Sequence, residues 1–230
     1  MSDTRSPSPD SLFSEPDNDA VTDNPIAKRT QPDIPGLWIF PSIFPDDIAR
    51  DALHSIATAN LFSGGSRDQV MLFEAPKSLS STSSLPDYIT ELVFIIKDIL
   101  RSRLSDEMID LLFNQSLARQ VIMNLYPPGE GITPHIDLPN RYADGIIGCS
   151  LTGGCVMSLS EENTIHRVYI PPRTVYVLSK EARWEWYHGI DGCEEDLVEK
   201  EDGTGVETIL RDLRVSVTFR WMKEDADILS

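Results

Sequence analysis

The sequence predicts an α+β fold in which helices pack on a β-rich core of sandwich, jelly-roll or barrel type. Three features carry this expectation. Apolar residues recur at helical spacing in the first half of the chain, and from Val121 the period shortens to two. Short apolar runs in the second half are separated by Gly and Pro clusters. A chain of 230 residues has room for one or two domains, not more.

Each element follows from its residues. The first 35 residues are rich in Ser, Pro and Asp and poor in large apolar side chains. Burial there cannot offset the entropy of ordering, so 1–35 is expected to be a disordered acidic tail. Pro45-Asp46-Asp47 opens a helix with Ile48, Ala52 and Ile56 at helical spacing and acids at its positive end. Ser84-Leu85-Pro86-Asp87 fits a capping box, after which Tyr88, Leu92, Ile95, Ile96 and Ile99 share one face. Strands are predicted over Val121–Tyr126, Ile146–Ser150, Cys155–Leu159, Arg167–Ile170, Thr174–Leu178, Trp184–His188 and Arg214–Trp221. Pro127-Pro128-Gly129, Gly153-Gly154 and Pro171-Pro172 punctuate them. Residues 191–212 hold nine acids against two bases and read as an acidic mobile loop. The ordered domain is thus expected over 36–222, with 223–230 a C-terminal tail.

Composition limits the function classes. Apolar residues at 40% and charged residues at 25% suit a soluble globular protein. No apolar run exceeds Leu92–Ile96, which excludes a membrane-spanning helix. The start MSDTRSPSPDSLF lacks an apolar signal-peptide region, so an intracellular protein of nucleus or cytoplasm, and a monomer, is expected. Cys149, Cys155 and Cys193 are an odd set without C-x-x-C spacing, which argues against a disulfide scaffold or a zinc knuckle. A formal net charge of −17 opposes any broad basic surface for nucleic acid.

Chemistry concentrates in a few residues. His135-Ile136-Asp137, two apart on an extended chain, sends both side chains from one face toward one ion. Imidazole plus carboxylate suits divalent iron, manganese or zinc. Of the remaining histidines, His54 falls in the first helix and His166 follows a polar stretch that reads as a hairpin turn. His188 ends an aromatic strand before Gly189, a position suited to a site. Two histidines and one carboxylate would leave coordination positions open. Along Arg214–Trp221, Val215, Val217, Phe219 and Trp221 share one face, and Arg214, Ser216, Thr218 and Arg220 share the other. The two arginines stand about 20 Å apart at their Cα atoms and need an anionic partner: a small dicarboxylate held between them, or an internal salt bridge. Asn124 and Tyr126 share a strand face with Ile122 and point two neutral polar groups the same way.

In one order, Asn124-x-Tyr126-x-x-Gly129, His135-x-Asp137, His188 and Arg214-x5-Arg220 resemble the AlkB-like family of iron(II)- and 2-oxoglutarate-dependent dioxygenases. The resemblance covers roughly 36–222. It implies a double-stranded β-helix, a jelly roll with the metal at its open mouth. It implies His135, Asp137 and His188 as iron ligands, and Asn124, Tyr126 and Arg214 as 2-oxoglutarate ligands, with Arg214 on the distal carboxylate. Arg220 would sit near the proximal carboxylate and the substrate. The stretch from His135 to Met157 and Arg183–Ile190 are most similar to the oxygenase domain of the tRNA wobble-uridine hydroxylase member. Pro139 stands where nucleobase-repair members often carry an acid, which weighs against direct repair of alkylated bases.

The resemblance implies use of O₂ and 2-oxoglutarate, release of succinate and CO₂, and hydroxylation or oxidative demethylation of a modified nucleic acid, RNA ahead of DNA. Arg141, Arg173 and Arg183 would offer a local cluster for its backbone. Two alternatives remain: the same chemistry on a basic protein such as a histone, and a non-catalytic AlkB-like binding module.

Overall fold

The computed structural model describes residues 25–62, 68–76, 83–224 and 226. Strand β1 (Leu37–Phe40) precedes helix α1 (Asp46–Thr58), which has Asp46 and Asp47 in its first turn and buries Ala49, Ala52 and Ile56. Strand β2 (Gln69–Glu74) leads to α2 (Asp87–Arg101), which buries Ile89, Leu92, Ile96 and Leu100. Tyr88, Ile95 and Ile99 flank that face, half-buried. The capping box at Ser84 does not form. Pro86 takes the N-cap without a side-chain hydrogen bond, and the Ser84 hydroxyl donates to the carbonyl of Phe73 at 3.0 Å. Helix α3 (Asp106–Phe113) was not anticipated, because eight residues are too few for a helical period to stand out. Its visible signal is Ser105, whose hydroxyl accepts from the backbone N–H of Met108.

The strands that follow are β3 (Arg119–Tyr126), β4 (Ile132–His135), β5 (Ile146–Thr152), β6 (Cys155–Glu161), β7 (Thr164–Ile170) and β8 (Val175–Leu178). After the short helix α4 (Lys180–Trp184) come β9 (Tyr187–Ile190), β10 (Glu195–Glu199), β11 (Val206–Leu210) and β12 (Arg214–Trp221). A six-stranded sheet runs β1-β8-β5-β12-β3-β2 and a four-stranded sheet runs β4-β9-β6-β7. One face of the larger sheet, with Val121, Met123, Val175, Val217 and Phe219, packs on the three long helices. Its other face meets the smaller sheet through Ile146 and Leu178 against Met157, Leu159 and Ile170. Two antiparallel sheets packed face to face with helices on one side form a jelly roll, the expected class. β12 lies between β3 and β5, so alternation sends its valines to the helices and its arginines into the space between the sheets.

Three further expectations change. Trp184–His188 is not one strand: a helical turn ends at Trp184 and the strand covers Tyr187–Ile190. The chain crosses there from β8 in one sheet to β9 in the other, and the turn makes the corner. The hairpin turn expected before His166 forms at Glu162, whose φ is +47°, and β7 starts ahead of its expected bounds so that His166 lies inside it. The segment 191–212 is not a mobile loop, because β10 and β11 pair from Glu195↔Leu210 to Glu199↔Val206. The buried Arg211–Asp196 ion pair, at 2.8 Å, closes this hairpin. Finally, the segment from residue 25 to 35 is packed: Ala27 is fully buried and bridges to Val198, Lys28 bridges to Val168, and Ile34 is buried. The expected tail over 1–24 lies outside the described residues, as do 225 and 227–230 of the expected C-terminal tail.

Candidate metal and co-substrate site

β4 and β9 are antiparallel neighbours whose register sets His135 directly opposite His188. Their ring centroids lie 4.4 Å apart. Asp137, two residues beyond His135, brings its Oδ2 to 3.7 Å from His188 Nε2. One ligand atom from each of the three falls within 4.8 Å of the others. Gly189 permits the approach of the strands, since a Cβ there would meet Pro134 Cα at 2.9 Å. His135 Nδ1 is 2.9 Å from the carbonyl of Thr133; donating there leaves the Nε2 lone pair for a ligand role. Burial, with His135 and Arg183 nearby, pushes His188 down to about 3, and burial lowers His135 also. Both rings are therefore neutral near pH 7, the state that binds a metal. His54 lies on α1, and His166 packs on Trp186 with ring centroids 5.4 Å apart. Neither belongs to the cluster.

Two arginines hold Asp137 from different sides. Arg220 donates to its Oδ1, donates through Nε to Gln120 Oε1 at 2.7 Å, and lies 3.8 Å from the Tyr142 ring centroid. Arg183, only 2% exposed, donates to the carbonyls of Asp137 (2.8 Å), Tyr142 (3.0 Å) and Ala143 (3.3 Å). It thereby clamps the loop that carries the carboxylate.

Asn124, Tyr126 and Arg214 line the same cavity as the three metal-type ligands, from the opposing sheet. Arg214 is the register partner of Tyr126, and its guanidinium carbon stands 5.2 Å from that ring's centroid. Arg214 is buried and its Nε has no hydrogen-bond partner among the described residues. A buried guanidinium N–H left unmatched on a cavity wall fits an anionic ligand. Gly153 supports this placement: its φ is +67°, and a Cβ there would meet Arg214 Cα at 2.7 Å. Burial raises the Tyr126 phenol, with Arg214 opposing, so Tyr126 stays neutral.

A second, outer cavity shares His135, Asp137 and Arg220 and adds Met71, Gln120, Leu138, Arg141 and Tyr142. The proposed arginine cluster does not assemble around it. Of its three members Arg141 alone lines this cavity; Arg183 is buried, and Arg173 donates to the carbonyl of Phe44 at 3.0 Å, beside α1. Gln69, Gln120, Tyr142 and Tyr176 escaped the sequence reading. Gln69 alone carried a signal, an isolated amide at the head of a V-M-L-F run.

Residues 77–220 match the model of the 2OG-Fe(II) oxygenase superfamily. The chain is 33% identical over 152 residues to uncharacterized protein L905 of Acanthamoeba polyphaga mimivirus, covering 65% of this chain and 64% of that protein. It is 34% identical over 112 residues to tRNA (carboxymethyluridine(34)-5-O)-methyltransferase alkbh8 of Xenopus tropicalis, covering 44% of this chain and 18% of that protein. The chain thus spans under two thirds of the first relative and under a fifth of the second. Among solved structures, a prolyl-4-hydroxylase of Pseudomonas putida aligns with a TM-score of 0.51 at 12% identity, covering 82% of this chain and 93% of that one. At that identity the likeness concerns the fold.

Proposed function

Because the chain belongs to the 2OG-Fe(II) oxygenase superfamily, we propose that it is an AlkB-like oxygenase that hydroxylates or oxidatively demethylates a modified nucleic acid, RNA ahead of DNA. The observation that carries the reading is the meeting of two sets in one cavity. His135, Asp137 and His188 converge on one wall, and Arg214 presents an unmatched N–H on the other.

In this reading the two histidines and Asp137 hold iron(II), a ligand set that leaves positions for co-substrate and O₂. The bound iron with 2-oxoglutarate and O₂ supplies the oxidising chemistry, which yields succinate, CO₂ and a hydroxylated carbon. The chain's own residues bind and orient. Arg214 takes the distal carboxylate, and Asn124 and Tyr126 hold the same molecule by neutral hydrogen bonds. Arg220 stands beside the proximal end while it fixes Asp137. Ile132, Ile146, Met157 and Leu178 line the cavity and exclude water. The substrate enters from the outer cavity, past Met71, Leu138 and Arg141. The domain of this activity spans 36–222 with the packed segment from residue 25 added.

The nucleic-acid reading draws on the tRNA-modifying name of the Xenopus relative and on the mouth chemistry. Net charge opposes it less than −17 suggests. Residues 1–24 hold six acids against one base, and 191–212 hold nine against two. A single-stranded or looped substrate is expected, since a base must leave its stack to enter such a cavity. The test measures succinate formed from 2-oxoglutarate, with and without iron, over modified single-stranded RNA, DNA and histone peptides. Iron-dependent succinate stimulated by modified RNA supports the reading. Stimulation by peptides alone moves the substrate to basic protein, and absence of succinate leaves a binding module.

A further inference from the structure

We infer that Gln69 is a positioning residue for 2-oxoglutarate, acting through the side-chain amide of Asn124. This rests on reading Asn124 as a co-substrate ligand. Gln69 is the register partner of Asn124 in the β2–β3 ladder, which the Leu125 N–H to Asp68 carbonyl bond of 2.7 Å extends by one residue. Side chains so opposed are direct neighbours. Gln69 Nε2 donates to Asn124 Oδ1 at 3.0 Å.

The direction of that bond is the substance of the inference. An amide side chain has an accepting end and a donating end, and nearly identical shape when flipped. Asn124 is 8% exposed, so bulk water does little to choose between the two orientations. The Gln69 N–H engages the carbonyl end, which leaves the amino end of Asn124, a residue of the cavity lining, for a ligand. Among the described residues that amino group has no protein partner. Facing a dicarboxylate, an amino group attracts and a carbonyl repels. Gln69 thus selects the attracting orientation before the ligand arrives. Two strands suffice for the device: the edge strand β2 supplies the donor and β3 carries the group it sets.

The test titrates 2-oxoglutarate into the anaerobic iron(II)-loaded full chain by calorimetry. Gln69→Met removes the donor at similar volume and should weaken 2-oxoglutarate by about tenfold, the scale of a hydrogen bond to a charged group. Gln69→Glu can only accept, so it favours the flipped Asn124 and should weaken binding further. In the Asn124→Ala background Gln69→Met should change the affinity by less than about twofold, the non-additivity expected of a contact that acts through its partner. The Gln69→Glu change in that background measures the direct effect of its charge. Thermal melting of the Gln69→Met protein should stay near wild type. Equal loss from Gln69→Met in both backgrounds, or no loss in either, overturns the inference while leaving the oxygenase reading in place. Failure of the wild-type protein to bind 2-oxoglutarate overturns both.

Discussion

Asp137 serves three partners at once. Its Oδ2 faces His188, its Oδ1 pairs with Arg220, and its carbonyl is held by Arg183. It is 5% exposed, so the carboxylate lies inside the mouth, not on its rim. Asp137→Ala should therefore abolish tight iron binding and also destabilise the fold, since stranding one partner of a buried pair typically costs about 3–5 kcal/mol. Asp137→Asn keeps an acceptor for Arg220 and should lose iron with a smaller loss of stability. Anaerobic iron titration and urea unfolding check both effects, and iron affinity equal to wild type would refute the ligand assignment. Arg214→Ala should raise the Michaelis constant for 2-oxoglutarate by at least tenfold while iron titrates normally, because the distal carboxylate loses its cationic partner and the three metal-type ligands are untouched. An unchanged constant would remove Arg214 from the co-substrate. The residues legible in the sequence were those whose signal is local: His135 and Asp137 two apart, Arg214 and Arg220 on one alternating strand. The roles of Arg183, Gln120 and Gln69 were not legible, because their partners lie 46, 100 and 55 positions away.

The β10–β11 hairpin shows why charge density misleads about order. Nine acids in 22 positions predict a solvated loop, yet Val198 and Ile209 share one face of the hairpin and pack with Ala27, Val156 and Tyr169. Arg211 then neutralises Asp196 with two bonds of 2.8 Å and donates to the carbonyl of Asp191 at 2.5 Å. Arg29, from the packed N-terminal segment, adds a 2.7 Å bond to Glu207. Asp196→Ala should release the hairpin and lower stability by about 3–5 kcal/mol, since Arg211 would stay buried without its carboxylate. Limited proteolysis should then cut within the strands 195–199 and 206–210, which pairing protects in the wild-type protein. Corners also escape local reading. The helical turn at Lys180–Trp184 follows from the need to change sheets, which no window of sequence contains.

On the scale of the whole molecule, much of the excess acid sits in residues 1–24 and in the hairpin segment 191–212. Deleting residues 1–24 should strengthen binding of single-stranded RNA by removing five net negative charges, with the largest gain at low salt. Deleting 1–35 would instead strip Ala27 and Ile34 from the packed body and confound the result with instability. Fluorescence anisotropy across a salt series checks the prediction. No gain on truncation, together with lost affinity for histone peptides, would favour a basic protein substrate.

The sequence by itself determined helices on a β-rich core of sandwich, jelly-roll or barrel type and an ordered set of candidate site residues, because strand alternation and short motifs are local properties of the chain. The tertiary structure decided how these residues work together. Only strand register places His188 opposite His135 and Gln69 opposite Asn124. Only packing makes Arg183 a buried clamp in place of a surface contact, and leaves Arg214 with an N–H that nothing in the described chain satisfies. Register and burial depend on contacts between distant segments, so they exist only once the sheets have closed on each other.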